Sequence, residues 1–167
     1  MIQVYTGKGK GKTTAAFGLA LRAAGAGKRV FIAQFVKSGC YSEIKALSKI
    51  KKIKFGQFGS GCFIRKKPNV KEIQLAQNGL LQVRKLIRGR TCDLLILDEV
   101  NIAMKLGILK SSEVLQVIKA APKSVEVVLT GRYAPASIKK AAHLVSDIRE
   151  IKHYYRRGVK ARKGIEF

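Results

Sequence analysis

A segment rich in glycine and lysine near the start of the chain has the spacing of a phosphate-binding loop. It reads TGKGKGKTT over residues 6–14 and lies between a short alternating apolar stretch and a run of helix-forming residues. Glycines let backbone N–H groups converge on an anion, and the start of a helix adds a partial positive charge. We therefore expect Lys12 to reach a terminal phosphate and the hydroxyl of Thr13 to bind Mg²⁺.

This loop is a variant of the usual G-x-x-x-x-G-K-[ST] pattern of a P-loop, because Thr6 stands where the first glycine is expected. A lysine-rich surface loop that contains GKT by chance is the alternative, and the strand–loop–helix context argues against it. The residues predicted to bind the nucleotide in this loop are Thr6, Gly7, Lys8, Gly9, Lys10, Gly11, Lys12, Thr13 and Thr14.

A second candidate for metal chemistry follows an apolar stretch in the middle of the chain. Residues 94–97 read LLIL, and Asp98 and Glu99 come directly after them. A carboxylate at the end of such a strand can hold Mg²⁺ directly or through water, opposite Thr13. The alternative is a pair of acidic residues that cap the next helix, but the chain has only 10 acidic residues in all. The predicted metal ligands are Thr13, Asp98 and Glu99.

Two further polar residues stand at the ends of predicted strands. Arg132 follows the stretch VEVVLTG, and its guanidinium can bind a phosphate oxygen or reach a second ligand bound beside the nucleotide. The alternative is a surface arginine in a turn. Gln34 is either a polar contact to the ligand or simply a strand-end residue; it joins the predicted nucleotide-binding set. The residues predicted to be catalytic are Lys12, Glu99 and Arg132.

These residues must be positioned by a fold in which strands and helices alternate. Strands are predicted over residues 2–5, 29–36, 52–58, 94–97, 125–130 and 144–151. Helices are predicted over residues 15–24, 41–50, 70–88 and 111–119, and another opens at Pro135 in the N1 position. Such alternation indicates an α/β fold of the P-loop NTPase (RecA-like) type, with a parallel sheet of about six strands and helices on both faces.

The candidate site residues share one place in such a fold. The carboxyl ends of parallel strands meet at one edge of the sheet, and ligands of α/β proteins bind outside that edge. The P-loop, Gln34, a glycine-rich loop at residues 56–63, the Asp98–Glu99 pair and Arg132 all follow predicted strands. We therefore expect them to form one site.

Length and composition are those of one globular domain, which we assign to residues 1–167. No apolar run approaches a membrane span and the chain begins with a strand rather than a signal peptide, so we expect a cytoplasmic protein with no membrane partner. Cys40, Cys62 and Cys92 lack C-x-x-C spacing, which argues against a zinc site or a disulfide framework. The lone histidines, His143 and His153, are assigned no role.

The charge is strongly positive, since 34 lysines and arginines against 10 acidic residues give a net charge of +24. Residues 44–71 contain no acidic residue, and residues 149–163 form a second basic cluster. Such a field favours anionic partners, namely nucleotides, nucleic acid or acidic membrane surfaces, or it is a solvated surface with no dedicated partner.

Other nucleotide-dependent functions fit parts of this pattern. A P-loop ATPase that acts with nucleic acid is the main alternative, although the length leaves no room for the second domain of a motor helicase. A small GTPase would show an N-K-x-D motif, which the sequence lacks. A nucleotide kinase and a non-catalytic ATP-binding regulator stay open as well.

Several segments together resemble the P-loop ATP:corrinoid adenosyltransferases. The resemblance rests on YTGKGKGKTTAAFG at residues 5–18, QFVK at 34–37, LILDE at 95–99, LTGRYAP at 129–135 and the ending over residues 151–167. These segments occur in the family's order along essentially the whole chain. The opening, LTGR and KGIE are specific in combination, whereas the P-loop alone is not.

The resemblance implies a transferase that uses ATP and a reduced corrinoid, either cobalamin or a precursor. In that family Co(I) attacks the 5′ carbon of ATP and expels the whole triphosphate, and ATP lies reversed relative to ordinary P-loop enzymes. The protein then positions the reactants and stabilises charge on the leaving group. The family also implies Mg²⁺, a reductase that supplies the Co(I) corrinoid, and a homodimer.

Two of the chain's departures from the family concern residues that would contact the ligands. Family members usually carry Asn or Asp where Lys8 stands, so an acceptor toward ATP is lost. The aromatic pair that crowds the lower face of the corrinoid aligns with Cys62 and Ile64, and either Phe63 substitutes or that step works differently. The resemblance therefore implies that Cys62 and Phe63 line the corrinoid side of the site.

Overall fold

Six parallel strands form one sheet in the computed structural model, which describes residues 1–39, 41–61 and 68–166. The strands are β1 (Ile2–Thr6), β2 (Val30–Phe35), β3 (Ile53–Phe58), β4 (Leu94–Asp98), β5 (Glu126–Thr130) and β6 (Leu144–Asp147). Their order is β3-β2-β4-β5-β1-β6, and every neighbouring pair is parallel. The carboxyl ends of all the strands therefore lie along one edge of the sheet.

Helices cover both faces of this sheet. They are α1 (Lys12–Gly25), α2 (Ser42–Leu47), α3 (Val70–Arg88), α4 (Val100–Lys105), α5 (Ser111–Lys119) and α6 (Ala136–Ala141), and a short 3₁₀ helix spans Tyr154–Arg157. The core on one face, here called the α1 core, packs α1 and part of α2 on the strands. The core on the other face packs α3, α4, α5 and α6. No helix of the described chain is long and apolar enough to cross a membrane.

The central strands read as continuous apolar runs because both of their faces are covered. In β4, Leu94 and Ile96 belong to the α1 core, whereas Leu95 and Leu97 belong to the opposite core. Side chains of a strand alternate between the two faces, so Asp98 falls on the α1 face. The alternation thus aims the last residue of β4 toward the beginning of α1.

The predicted alternation of strands and helices is confirmed, with three differences. The sequence patterns do not predict α4, which begins directly after Glu99. The predicted sixth strand is too long, since β6 ends at Asp147 and the chain then crosses the P-loop. Pro135 occupies the N-cap of α6 rather than the N1 position. The exact ends of helices and strands depend on tertiary contacts, and local sequence propensity does not predict those contacts.

Candidate functional site

The P-loop leads from β1 into α1 and leaves the start of that helix uncapped. Gly11 occupies the N-cap with a left-handed φ of 115°, and no described side chain accepts a hydrogen bond there. The first turn contains no acidic residue. The N–H groups of this turn are thus left for an anion, which the partial positive charge of the helix end also favours.

Lys12 is the buried cation of the P-loop. Its ammonium donates a hydrogen bond of 2.6 Å to the carbonyl of Gly9, and only 8% of the residue is exposed. Burial lowers the pKa of Lys12, and the carboxylate of Glu99 partly offsets this effect. A phosphate would be a stronger partner for this buried cation than a neutral carbonyl.

The chain that leaves β6 crosses over the first half of the P-loop. The N–H of Gly9 donates to the carbonyl of Ile148 at 2.7 Å. A Cβ at Gly7 would lie 2.3 Å from Asp147 Oδ1, and a Cβ at Gly9 would lie 2.7 Å from the carbonyl oxygen of Arg149. Close packing therefore requires glycine at both positions, independently of their predicted role in binding nucleotide.

Asp98 is the centre of a polar cluster at the carboxyl ends of the strands. Its fully buried carboxylate accepts hydrogen bonds on Oδ1 from the hydroxyl of Thr13 at 3.0 Å and from that of Thr130 at 2.6 Å. The other oxygen, Oδ2, accepts from the side-chain amide of Gln34 at 3.0 Å. The structure thus brings together Thr13, Gln34 and Asp98, which are predicted site residues, and adds Thr130.

The donor set around Asp98 suits magnesium. The Thr13 hydroxyl and an Asp98 carboxylate oxygen, 3.0 Å apart, are hard oxygen ligands, and Mg²⁺ completes its shell with water and substrate phosphates. Over residues 1–39, 41–61 and 68–166, no group of three or more His, Cys, Asp and Glu side chains could hold a metal alone. Asp98 forms no ion pair within those ranges. This cluster therefore fits a cation shared with a bound phosphate.

Glu99 forms an ion pair with Lys37, a residue that the P-loop and metal-site motifs do not single out. Glu99 Oε1 lies 3.2 Å from Lys37 Nζ. Burial alone would lower the pKa of Lys37, but the carboxylates of Glu99 and Asp98 outweigh burial, so the pKa is raised. Lys37 comes two residues after β2, and its position beyond a strand end is the signal that could have identified it.

Residues other than glycine adopt left-handed backbone conformations next to this cluster. The φ angles are 69° at Val36, 57° at Glu99 and 62° at Tyr133. Such conformations cost about 1–3 kcal/mol each, and a β-branched valine is an outlier among them. Strain of this kind persists where surrounding contacts fix the backbone, which is common at functional sites.

The turn after β5 is fixed to the P-loop and carries Arg132. The N–H of Ala134 donates to Thr6 Oγ1 at 3.3 Å. Arg132 itself is exposed and forms no ion pair with any described residue. Burial is the main cause that lowers the pKa of Lys12, and the positive charge of Arg132 lowers it further. The two cations are therefore close enough to repel each other. Arg132 is therefore a cation near the phosphate loop that is free to meet an anion.

The remaining predicted residues have fewer contacts. Lys8 and Thr14 are exposed on the P-loop. Cys62 and Phe63 lie outside the described residues. A cavity of about 460 Å³ opens beside residues 6–8, and its charged lining consists of Lys8, Lys139 and the ion pairs Arg149–Asp147 and Arg156–Glu150. Space for part of a nucleotide thus adjoins the start of the P-loop.

The last described residues fold against the P-loop at Lys10. Its ammonium lies 2.8 Å from Tyr154 Oη and 2.8 Å from Glu166 Oε1. Arg162 pairs with Glu166 at 3.3 Å, and the hydroxyl of Tyr154 donates to the same carboxylate. The hydrogen bond from Lys10 is the main cause that lowers the pKa of Glu166. The charge of Lys10 is therefore compensated within the protein, unlike that of Lys12.

Comparison with known proteins identifies one family. A family model described as ATP:corrinoid adenosyltransferase BtuR/CobO/CobP matches residues 1–167. The chain is 33% identical to a corrinoid adenosyltransferase of Pseudomonas aeruginosa, with 100% of this chain and 83% of the relative covered. It is 34% identical to a corrinoid adenosyltransferase from Sinorhizobium sp, with 100% of this chain and 80% of the relative covered. It is 32% identical to a corrinoid adenosyltransferase from Escherichia coli K12, with 100% of this chain and 85% of the relative covered.

Among solved structures, a KaiC-like protein, PH0186, from Pyrococcus horikoshii OT3 has a similar fold. The TM-score is 0.56 at 16% identity, and the match covers 87% of this chain and 70% of the other. At this level of identity the likeness supports the P-loop NTPase fold and carries no information on activity.

Proposed function

The chain belongs to the ATP:corrinoid adenosyltransferase family, and on that premise we propose how its site performs the reaction. The protein uses ATP to adenosylate a corrinoid. The Co(I) of the reduced corrinoid attacks the 5′ carbon of ATP, and a cobalt–carbon bond forms. The bond between that carbon and its oxygen breaks, and its electron pair leaves with the triphosphate.

This reaction requires positioning and charge stabilisation rather than proton transfer. Both histidines already serve the fold, because His143 Nδ1 accepts the N–H of Ile2 at 3.0 Å and His153 Nδ1 accepts that of Tyr155 at 3.1 Å. Cys92 is buried, and burial raises the pKa of its thiol. The described site therefore offers phosphate and metal ligands without an evident general base, which supports the proposal.

The hydrogen bond between Thr13 and Asp98 is the observation that carries the proposal. It brings two oxygen atoms of a kind that suits Mg²⁺ next to the uncapped start of α1 and the buried ammonium of Lys12. Lys12 and the first-turn N–H groups would bind the triphosphate. Thr13 and Asp98 would hold Mg²⁺, and a bound Mg²⁺ would stabilise the negative charge that develops on the leaving oxygen.

The other predicted residues surround that centre. Glu99 would reach the metal or its water ligands, and its ion pair with Lys37 keeps the carboxylate near Asp98. Arg132, exposed and without an ion pair in the described chain, would bind a phosphate oxygen as charge develops. Gln34 acts on Asp98 rather than on the nucleotide itself, since its amide donates to Oδ2.

We propose the wider setting from the family and the sequence. Cys62 and Phe63 would line the lower face of the corrinoid, as the resemblance to the family implies. A reductase would supply the Co(I) corrinoid, and two chains would form a homodimer. Residues 1–167 would act as one domain in the cytoplasm.

A comparison of two aspartates at opposite ends of β4 tests the metal site. Asp98 ends β4, whereas Asp93 precedes it and pairs with Arg29 at 2.8 Å. ATP binding is measured by calorimetry across a range of Mg²⁺ concentrations for Asp98→Asn, for Asp93→Asn as the control and for the natural chain. We expect Asp98→Asn alone to lose the Mg²⁺-dependent gain in ATP affinity. A wild-type Mg²⁺ dependence in Asp98→Asn would contradict the metal assignment.

A further inference from the structure

Three polar side chains form one cross-strand row that ends at Asp98. The parallel register pairs Gln34 of β2 with Gln57 of β3 on one side and with Asp98 of β4 on the other. Directly paired residues share a face of the sheet, so all three side chains are on the α1 face. The row therefore runs from the outer strand β3 to the buried carboxylate.

The hydrogen bonds of this row are continuous. Gln57 Nε2 donates to Gln34 Oε1 at 2.9 Å, and Gln34 Nε2 donates to Asp98 Oδ2 at 3.0 Å. Gln57 Nε2 also donates to the carbonyl of Gly39 at 2.9 Å. Both hydrogens of the Gln57 amide are thus used, and the amide plane is held between β2 and the loop that follows it.

We propose that Gln57 is a positioning residue for the reaction. Gln57 acts through Gln34 to hold the carboxylate of Asp98 in its metal-binding orientation. This inference rests on the proposed function, because it takes Asp98 as the metal ligand. Ligands of metals are commonly oriented by a second layer of hydrogen bonds, and loss of such partners costs about 10- to 100-fold in metal affinity.

Chemistry fixes the direction of every donor in the row. An ionised carboxylate can only accept, so Gln34 must turn its NH₂ group toward Asp98. Its carbonyl oxygen then faces β3, and that oxygen needs a donor because Gln34 is only 1% exposed. Gln57 supplies this donor. A carboxylate at residue 57 could not, and it would favour the opposite orientation of the Gln34 amide.

Gln57→Glu is therefore the informative change, since it keeps the size of the side chain and removes both donors. Gln34 would turn its NH₂ group toward Glu and its oxygen toward Asp98, which places two acceptors against each other. We expect the Mg²⁺ concentration that half-saturates Mg²⁺-dependent ATP binding to rise about 10-fold or more. Binding of ATP in EDTA should stay unchanged. Gln74→Glu, an exposed position on α3, makes the same charge change and should match the natural chain.

The same titration in a Gln34→Ala background separates a relay from a direct effect. If the effect passes through Gln34, then adding Gln57→Glu to Gln34→Ala causes no further rise in the half-saturating Mg²⁺ concentration. An equal rise in both backgrounds, or a Gln57→Glu protein that behaves like Gln74→Glu, would overturn the inference. The proposed function fails separately, when Asp98→Asn keeps the wild-type Mg²⁺ dependence.

Discussion

The hydroxyl of Thr13 donates a hydrogen bond of 3.0 Å to the carboxylate of Asp98, across 85 residues of sequence. Thr13 lies in the first turn of α1, and Asp98 is the last residue of β4. The sheet order puts β5 between β1 and β4, and α1 packs across β4 and β5 to bridge that gap. The phosphate loop and the buried carboxylate are thereby joined in one site.

Replacement of Lys12 by alanine should abolish adenosyl transfer while the fold is retained. The ammonium is buried, and among the described residues it bonds only to the carbonyl of Gly9, so its loss removes a phosphate partner but no ion pair of the described chain. We expect kcat to fall by at least about 10²-fold, as for the loss of one preorganised donor. Thermal unfolding followed by circular dichroism, with exposed Lys49→Ala as the control, checks the fold. Unchanged turnover would remove the P-loop from the mechanism.

Arg132→Ala should weaken stabilisation of the leaving group. A charge-assisted hydrogen bond contributes roughly 1.5–3 kcal/mol, so kcat/KM should fall about 10- to 100-fold. Arg132→Lys keeps the charge but loses the planar fork, and we expect a smaller loss. Steady-state kinetics of both variants, beside exposed Arg88→Ala on α3, give the comparison. A wild-type kcat/KM in Arg132→Ala would show that this arginine belongs to the surface only.

Gly59→Ala should distort the segment that carries Lys37. A Cβ at residue 59 would lie 2.2 Å from the carbonyl carbon of Val36 and 2.7 Å from the N of Lys37. Backbone atoms cannot turn aside as a side chain can, so the free energy of unfolding should fall by about 1–3 kcal/mol. Denaturant unfolding measures this loss. Gly61→Ala, where a Cβ would meet none of the described atoms within 4 Å, serves as control, and equal losses would refute the prediction.

Glu166→Gln should loosen the C-terminal segment from Lys10. The lowered pKa of Glu166 means that its ionised form favours the folded arrangement. This contribution is fully present above the ordinary glutamate pKa of roughly 4.3, and it is lost as the pH falls through the lower folded value. At neutral pH, trypsin should cleave after the lysines and arginines of residues 156–163 faster in Glu166→Gln than in the natural chain. Glu113→Gln, on α5, should be cleaved at the wild-type rate; equal rates for all three would argue against the contact.

Much of this arrangement is present in local patterns of the sequence. The run LLIL before Asp98 indicates a strand buried on both faces, and alternation along it sets the side of the sheet on which Asp98 lies. The glycine pattern around Lys12 marks the strand–loop–helix unit. The confirmed fold and family follow from these signals.

Contacts between distant segments are not present in local patterns. The row from Gln57 to Asp98 depends on β2 lying between β3 and β4, an order that no single segment encodes. Lys37 meets Glu99 for the same reason. The glycines at residues 7 and 9 resemble phosphate-loop residues in sequence, yet the packing of residues 147–149 also requires them. Tertiary neighbours determine each of these features.

Analysis of the products of one incubation tests most directly whether the P-loop holds a departing triphosphate. The protein is incubated with Mg²⁺, ATP and a chemically reduced corrinoid, and the phosphates and the corrinoid are then separated. We predict equal amounts of inorganic triphosphate and of a light-sensitive alkylcobalt corrinoid, both lost in Lys12→Ala. Release of ADP and phosphate, stimulated by DNA or RNA and without any alkylcobalt product, would contradict the proposed role of the loop.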